Sequence, residues 1–217
     1  VENLLGAWRE FIRGKRHKQD VQQFSFRLMD NLLTLHHDLG TSTYHHGSYQ
    51  TFKINDPKPR IIHKATVRDR LVHRAVYHQL YWFFHQRFIA NSYSCQLGKG
   101  THRALNRFRA LAYAVSQNHT KTCWILKCDI KKFFASVNHQ ILKSILVQYF
   151  DDQETTDLLT KIIDSFNTKP HVGLPLGHRP VEPERAVLLA NLPELVAALE
   201  LVGRSLVALA HRVVCGG

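Results

Sequence analysis

The chain has 217 residues, 44% of them hydrophobic, and a formal net charge of +12 with histidine neutral. It has no apolar run long enough to span a membrane, and its first fourteen residues lack the zones of a secretory signal, so we expect a cytoplasmic globular protein. All 22 aromatic residues lie before residue 178, interleaved with Lys and Arg. This pattern favours a nucleic acid as partner, although charge alone also fits a basic surface that only maintains solubility.

The composition changes at residue 178. Residues 178–217 contain no Lys, no Asp and no aromatic residue, and four Arg balance four Glu there. The whole excess of positive charge therefore lies in residues 1–177. Such a break indicates a domain boundary, a frameshift or a fusion of unrelated sequence, and the three remain open.

The first half of the chain predicts helices around one hairpin. Apolar residues from Asp20 to Leu39 recur at helical spacing, with Asp20 as N-cap and Gly40 as the stop. Ser48 to Ile54 and Arg60 to Lys64 predict two strands, because the four residues between them suit a turn. Thr66, with Asp69 three residues later, predicts the capping box of the next helix.

The second half alternates helices with a short strand. A glycine-rich loop around Lys99 precedes a predicted helix from Thr101 to Gln117. Thr122 to Ile130 predicts an apolar strand, and Ile141 to Tyr149 predicts another helix. The class predicted from these elements is α+β or α/β.

Asp129 is the candidate metal ligand. It lies near the end of the apolar strand pattern and is followed by Ile130, Lys131 and Lys132. A carboxylate beside basic residues is a typical ligand of Mg²⁺, which prefers oxygen donors and shares them with substrate phosphates. Taken alone, the same residue fits a helix cap or a solvated turn.

Six short segments follow one another along the chain: Pro59-Arg60-Ile61-Ile62, Val67-Arg68-Asp69-Arg70-Leu71-Val72-His73, Ser92-Tyr93-Ser94-Cys95, Gly98-Lys99-Gly100-Thr101-His102, Leu126-Lys127-Cys128-Asp129-Ile130-Lys131-Lys132-Phe133-Phe134 and Gly173-Leu174-Pro175-Leu176-Gly177. In order and spacing they resemble the successive blocks of bacterial retroelement reverse transcriptases. Enzymes of diversity-generating retroelements are the nearest group, with those of retrons and group II introns as relatives.

The resemblance implies an α+β fold of the right-hand polymerase type. Residues 1–118 would form N-terminal helices and fingers, residues 119–177 a partial palm with the first catalytic Asp, and residues 178–217 an atypical tail. The implied activity is RNA-directed DNA synthesis by two-metal nucleotidyl transfer. The implied partners are an RNA template, a DNA or RNA primer and deoxynucleotides, and an accessory protein is a further candidate.

The resemblance also implies roles for single residues at the reacting end of the nucleotide. Asp129, with the backbone carbonyl of Ile130, would bind two Mg²⁺ ions. Phe134 would lie under the nucleotide sugar and leave no room for a 2′-hydroxyl. The plainer alternative for Phe134 is a phenylalanine of the core, since Phe133 and Phe134 cannot both face the same way on a regular element.

The remaining implied contacts are to the triphosphate, the nucleotide and the template. Arg60 and Lys53 would reach the triphosphate from the hairpin, and Leu176 and Gly177 would lie beside the nucleotide. Lys99 and Arg103 would hold the template backbone. Ordinary solvated surface charges remain the alternative for all four basic residues: Lys53, Arg60, Lys99 and Arg103.

The resemblance stops after Gly177. The family's Tyr-x-Asp-Asp hairpin, which supplies further metal-binding carboxylates, should follow and does not. Tyr149-Phe150-Asp151-Asp152 spells the motif too early and closes a helical pattern, so we expect its carboxylates to end one helix and cap the next. The sequence therefore predicts no polymerase activity for this chain, with a non-catalytic RNA-binding remnant as the alternative.

Two histidine pairs, His36-His37 and His45-His46, could suggest metal binding. Adjacent side chains point in different directions and cannot both bind one ion. We therefore expect both pairs at the surface. The four cysteines form no C-x-x-C pair, which argues against a zinc site or a disulfide framework.

Overall fold

The computed structural model describes residues 1–55, 59–94, 96–127 and 132–176. Within these ranges, helices and one two-stranded antiparallel sheet make up the regular structure, which agrees with the α+β class. The elements are α1 (Glu2–Phe11), α2 (Gln19–Phe26), α3 (Leu28–Gly40), β1 (Gln50–Ile54), β2 (Arg60–Lys64), α4 (Val67–His85), α5 (Thr101–Val115), α6 (Phe133–Ser136), α7 (His139–Val147) and α8 (Gln153–Asp164).

The chain divides into two compact units. Of the described residues, the first unit contains residues 1–79 and 132–176, and the second contains residues 80–127. Among the described helices, none is both long enough and apolar enough to cross a membrane.

The core of the first unit joins α1, α2, α3 and the beginning of α4. Apolar side chains of α1 recur at helical spacing and are buried against those of the other helices, and Leu158 and Ile162 of α8 pack at the edge of the cluster. Each fully buried large side chain contributes about 1.5–3 kcal/mol. The cluster consists of Leu4, Ala7, Trp8, Phe11, Val21, Leu32, Leu35, Tyr44, Val67, Leu71, Val72 and Ala75.

The helix predicted from Asp20 to Leu39 is wrong in one respect, because it is two helices. The backbone leaves helical geometry at Arg27 (φ −121°, ψ 47°), which separates α2 from α3. The side-chain amide of Asn31 donates to the carbonyl oxygen of Phe24 at 2.9 Å and so satisfies an acceptor at the break. Apolar residues recur at helical spacing through both α2 and α3, so this spacing does not reveal the break at Arg27.

Asp20 is not the N-cap, which is Lys18. Its carboxylate instead accepts hydrogen bonds from Lys64 on β2 at 2.7 Å and from Arg70 on α4 at 2.5 Å. Burial of the carboxylate opposes its ionisation, but the hydrogen bond from Lys64 and the two positive charges outweigh burial, so the pKa of Asp20 lies below its usual value. Through these two ion pairs, Asp20 on α2 links α2 to the hairpin and to α4.

The predicted capping interaction at the start of α4 is confirmed and extended. Thr66 Oγ1 accepts a hydrogen bond from the Asp69 backbone N–H at 3.2 Å and donates to the Asp69 carboxylate at 2.5 Å. That carboxylate, 1% exposed, also accepts from the Tyr44 hydroxyl at 2.8 Å and from the Gly47 N–H at 3.2 Å. Burial and the Asp69 charge raise the pKa of Tyr44 above its usual range.

The surface prediction is wrong for His46. Its side chain is 3% exposed, and its ring lies 4.9 Å from that of Tyr49 and 5.2 Å from that of His73. Long-range packing buries it, which the spacing of adjacent histidines does not show. Across the described residues, no three His, Cys, Asp or Glu side chains are grouped to hold a metal ion.

The hairpin is confirmed. β1 and β2 pair antiparallel, with Phe52 opposite Ile62 and Thr51 opposite His63. Ile62 is 1% exposed, so one face of this two-stranded sheet turns towards the interior.

The strand predicted over residues 122–130 is not formed in its described part. Residues 122–127 have no regular secondary structure, and the side chains of Trp124, Ile125 and Leu126 are 62–77% exposed. A strand needs a hydrogen-bonded neighbour, and among the described residues only β1 and β2 form a sheet. The rest of the predicted strand lies outside the described residues.

The prediction for Asp152 is confirmed. It is the N-cap of α8, and its carboxylate accepts a hydrogen bond from the Thr155 backbone N–H at 2.9 Å. Hydrogen bonding by the Thr155 side chain and by its backbone N–H lowers the pKa of Asp152. The carboxylate therefore serves helix capping.

We expect Asp20→Asn to lower the free energy of unfolding at pH 7 by about 1–2 kcal/mol, because the largely buried Arg70 loses a charged partner. The folded pKa of Asp20 is depressed, so its contribution is present above about pH 3.8 and lost as the pH falls through the folded pKa. Chemical denaturation at pH 7 and pH 3 measures both effects. The control is Asp157→Asn, an exposed carboxylate bonded to Gln153 on its own helix. An Asp20→Asn loss no larger than the control's would contradict the assignment.

Candidate nucleotide site

Three segments of the first unit meet, and we call them together the convergence region: residues 60–64, 132–139 and 171–176. The His63 N–H donates to the Leu176 carbonyl at 3.0 Å, and the Leu174 N–H donates to the Phe134 carbonyl at 2.7 Å. The Gly173 N–H donates to the Val137 carbonyl at 2.8 Å. The structure thus brings together Phe134, Leu176 and the strand that carries Arg60.

Gly173 makes this approach possible. Its φ is +107°, and a Cβ at this position would lie 2.5 Å from Thr168 Oγ1 and 3.0 Å from the Thr168 backbone nitrogen. The Thr168 hydroxyl is itself held by the carbonyl oxygens of Ala135 at 3.0 Å and Val172 at 3.1 Å. Only glycine meets both the conformational and the steric requirement.

Phe134 lies on the single-turn helix α6, next to Phe133. The two rings are 5.2 Å apart at 74°, and both side chains are half-buried. Lys132, directly before α6, has a left-handed backbone (φ 54°, ψ 34°). Such a conformation costs a lysine roughly 1–2 kcal/mol, and it turns the chain sharply into the Phe133-Phe134 pair.

The two basic hairpin residues of the prediction lie on opposite faces. Lys53 is paired with Ile61 and Arg60 with Ile54, and side chains alternate between faces along each strand. Both are exposed, and no ion pair or hydrogen bond ties either side chain to another described residue. Lys64, in contrast, is bound to Asp20. Arg60 and Lys53 therefore lie exposed on different sides of the sheet.

His63 was not predicted from the sequence to be a site residue. It connects β2 to Phe166, two residues after the end of α8. Its ring lies 4.5 Å from that of Phe166, and its Nδ1 is 3.3 Å from the Thr51 hydroxyl. Partial burial disfavours the imidazolium and lowers the pKa of His63. Its backbone N–H holds Leu176, so the same residue joins hairpin, α8 and the 171–176 segment.

His139 was also missed. Its side chain is 1% exposed and contacts the Gly173 carbonyl and the Asp164 carboxylate. Asn138, the N-cap of α7, accepts from the Gln140 and Ile141 N–H groups, and an Asn before an apolar helical pattern is a signal for that helix start. Nothing in the sequence pattern marks the burial of His139, which depends on the distant residues 164 and 173.

In the second unit, Lys99 closes its own loop. Its ammonium donates to the carbonyl oxygens of Ala90 and Ser92, both at 2.9 Å, and lies 5.5 Å from the Tyr93 ring centroid. Arg103 is exposed on the first turns of α5, and a Cβ on Gly98 would lie 3.9 Å from its guanidinium. Lys99 thus shapes the glycine loop, while Arg103 presents its charge to solvent.

The predicted metal ligands Asp129 and Ile130, and also Gly177, lie outside the described residues. The carboxylates that are described do not form a metal-binding group, and Asp152 is occupied as a helix cap.

A family model described as reverse transcriptase (RNA-dependent DNA polymerase) matches residues 53–174, which is more than half of the chain. The chain belongs to the reverse transcriptase family. The match begins at Lys53 and includes Arg60, Asp129 and Phe134, whereas Leu176 lies two residues past its end. A comparison with curated proteins finds no match.

We expect Gly173→Ala to lower the free energy of unfolding by roughly 2 kcal/mol or more, because alanine meets both a disfavoured φ and Thr168. The matched control is Gly6→Ala in α1, where no atom lies within 4 Å of the added Cβ. That change should stabilise the protein by about 0.5–1 kcal/mol. Denaturant unfolding of both variants makes the comparison. Equal effects of the two substitutions would show that residues 168 and 173 do not pack as described.

Proposed function

We propose that the chain forms the fingers and the first part of the palm of a bacterial retroelement reverse transcriptase. Residues 1–118 correspond to the N-terminal helices and fingers, residues 119–177 to the beginning of the palm, and residues 178–217 to sequence of another kind. The observation that carries the proposal is the convergence region, where Phe134, Leu176 and β2 are joined by backbone hydrogen bonds. The family match over residues 53–174 supports it.

The convergence region is proposed to hold the incoming deoxynucleotide. Phe134 supports the sugar: its ring is half-buried, its backbone carbonyl accepts from the Leu174 N–H, and a ring under the sugar would leave little room for a 2′-hydroxyl. Leu176 and Gly177 lie beside the nucleotide. Arg60 binds the triphosphate, because its guanidinium is exposed, is not ion-paired among the described residues and can donate two parallel hydrogen bonds. Lys53 contributes from the other face of the hairpin.

The basic surface is proposed to bind the RNA template and the primer. The net charge of +12 favours a polyanion, and exposed Arg103 offers a phosphate contact. Lys99 contributes less direct charge, because two backbone carbonyls already bind its ammonium. Its role is to hold the glycine loop in a shape that lets a nucleic-acid backbone come close.

Asp129 and the backbone carbonyl of Ile130 are the proposed ligands of Mg²⁺. The metal ions, when bound, lower the pKa of the primer 3′-hydroxyl and offset the charge that develops on the leaving pyrophosphate. One side-chain carboxylate holds two divalent ions poorly, and residues 178–217 contain no Asp. We therefore propose that the 217-residue polypeptide on its own binds nucleic acid but does not extend a primer.

The test uses a labelled DNA primer annealed to an RNA template, with the purified chain, deoxynucleotides and either Mg²⁺ or Mn²⁺. We expect a gel shift that weakens steeply between about 50 and 200 mM salt, because phosphate contacts release counterions. Extended product is not expected. The shift should persist in Asp129→Ala, since the bound phosphates depend on the basic residues.

Product that is formed by the chain and lost in Asp129→Ala would overturn the proposed lack of activity. Absence of a shift at low salt would overturn nucleic-acid binding. Binding of the hybrid without binding of a deoxynucleotide would instead favour a non-catalytic RNA-binding remnant.

A further inference from the structure

We propose that His139 is a positioning residue for the nucleotide subsite, holding the Gly173 carbonyl and thereby the Leu174–Leu176 segment against Phe134. The inference rests on the proposed nucleotide function of the convergence region. His139 would not touch the nucleotide itself, but it would set the geometry of Phe134 and Leu176, which are proposed to do so.

The first observation is that the ring is sealed from water. His139 is 1% exposed at the start of α7, where Leu142, Ile145 and Leu146 on the same helix are also buried. A polar ring in such surroundings is tolerated only when its nitrogens have hydrogen-bond partners. Both nitrogens of His139 have one.

The second observation is the identity of those partners. Nε2 lies 2.7 Å from the Gly173 carbonyl oxygen, and Nδ1 lies 3.3 Å from a carboxylate oxygen of Asp164. A carbonyl oxygen and a carboxylate oxygen only accept, so in both contacts the ring nitrogen is the donor, and Nε2 donates to Gly173. Asp164, the last residue of α8, is held by Lys143 at 2.6 Å, which fixes the ring from its other side.

The third observation is that the backbone of His139 also binds the segment that contains Gly173. Its N–H donates to the His171 carbonyl at 2.9 Å, and Asn138 forms an isolated bridge with Val172. Backbone and ring of one residue therefore bind the chain on both sides of Val172. These two hydrogen bonds of His139 fix the backbone path of residues 171–173.

The hydrogen bond from His139 also affects the contact between Leu174 and Phe134 in the proposed nucleotide subsite. The peptide whose oxygen His139 holds continues directly into Leu174, whose N–H donates to the Phe134 carbonyl at 2.7 Å. If the Gly173 carbonyl loses its donor, that peptide is free to rotate and the Leu174–Phe134 bond weakens. The distance between Phe134 and Leu176 then varies, and discrimination against a 2′-hydroxyl declines.

The test compares two amide substitutions of similar polarity. In His139→Gln the amide nitrogen reaches the position of Nε2 and can still donate to Gly173, whereas in His139→Asn the shorter side chain reaches only the position of Nδ1. The first readout is hydrogen exchange of the Leu174 amide, with the Leu35 amide in the core of α3 as reference. The second is the ratio of the affinities for dUTP and UTP, which differ only in the 2′-hydroxyl.

We expect His139→Asn to accelerate exchange at Leu174 about tenfold relative to Leu35, and His139→Gln to restore most of the protection. The preference for dUTP over UTP should fall several-fold in the Asn variant and persist in the Gln variant. Equal acceleration at Leu174 and Leu35 would overturn the proposal, because the ring would then only stabilise the fold. Equal behaviour of the Gln and Asn variants would also overturn it.

Failure of the proposed function looks different. If the unmodified chain binds dUTP no better than UTP, the sugar contact of Phe134 is overturned, and with it the nucleotide part of this inference. The exchange data still decide whether His139 holds the Gly173 backbone.

Discussion

The convergence region depends on a single steric constraint, the close contact between Gly173 and Thr168. The absence of a Cβ lets residue 173 adopt φ +107° against the Thr168 hydroxyl, and the neighbouring peptides then meet Phe134 and Val137 at hydrogen-bond distance. A side chain at position 173 would push the segment away from both. The link from this segment to β2, through Leu176, would be displaced with it. Local backbone geometry at one residue therefore determines whether three distant parts of the sequence share a site.

The basic side chains of the described residues fall into two groups. Lys64 and Arg70 are bound to Asp20, and Arg74 is bound to Glu10, so these cations connect helices to one another and to the hairpin. Arg60 and Arg103 make no ion pair within the described residues and lie exposed. The net charge in the composition does not distinguish these groups, whereas the geometry does. Ligand binding is accordingly proposed for the exposed group and structural support for the paired one.

The predictions were confirmed for elements that depend on turn residues and capping side chains close by in the sequence. The turn residues after Ile54 predicted the hairpin, and the Thr66 and Asp152 side chains predicted the start of α4 and of α8. The predictions failed where contacts that the apolar spacing does not reveal decide the structure. The break at Arg27 is satisfied by Asn31, His46 is buried by Tyr49 and His73, and residues 122–127 find no strand partner in the described part of the chain.

The candidate site shows the same division. The sequence blocks indicated Phe134 and Leu176 because the family resemblance covers them, and the structure joins their segments through β2 and Gly173. The contributions of His63 and His139 were not predictable, since each acts through contacts more than 30 residues away in sequence. The opposite orientation of Lys53 and Arg60 follows from strand register, which the turn sequence did not determine.

The most direct measurement is a titration of the ¹⁵N-labelled chain with dTTP, followed by the backbone amide signals. We expect the amides of His63, Phe134 and Leu174 to shift together along one saturating curve, and Arg60→Ala to weaken the binding roughly tenfold by removing a charged hydrogen bond. Arg16→Ala, an exposed arginine outside the family match, should leave the curve unchanged. Shifts confined to the second unit, or no saturable shift in the convergence region, would show that the convergence region does not bind the nucleotide.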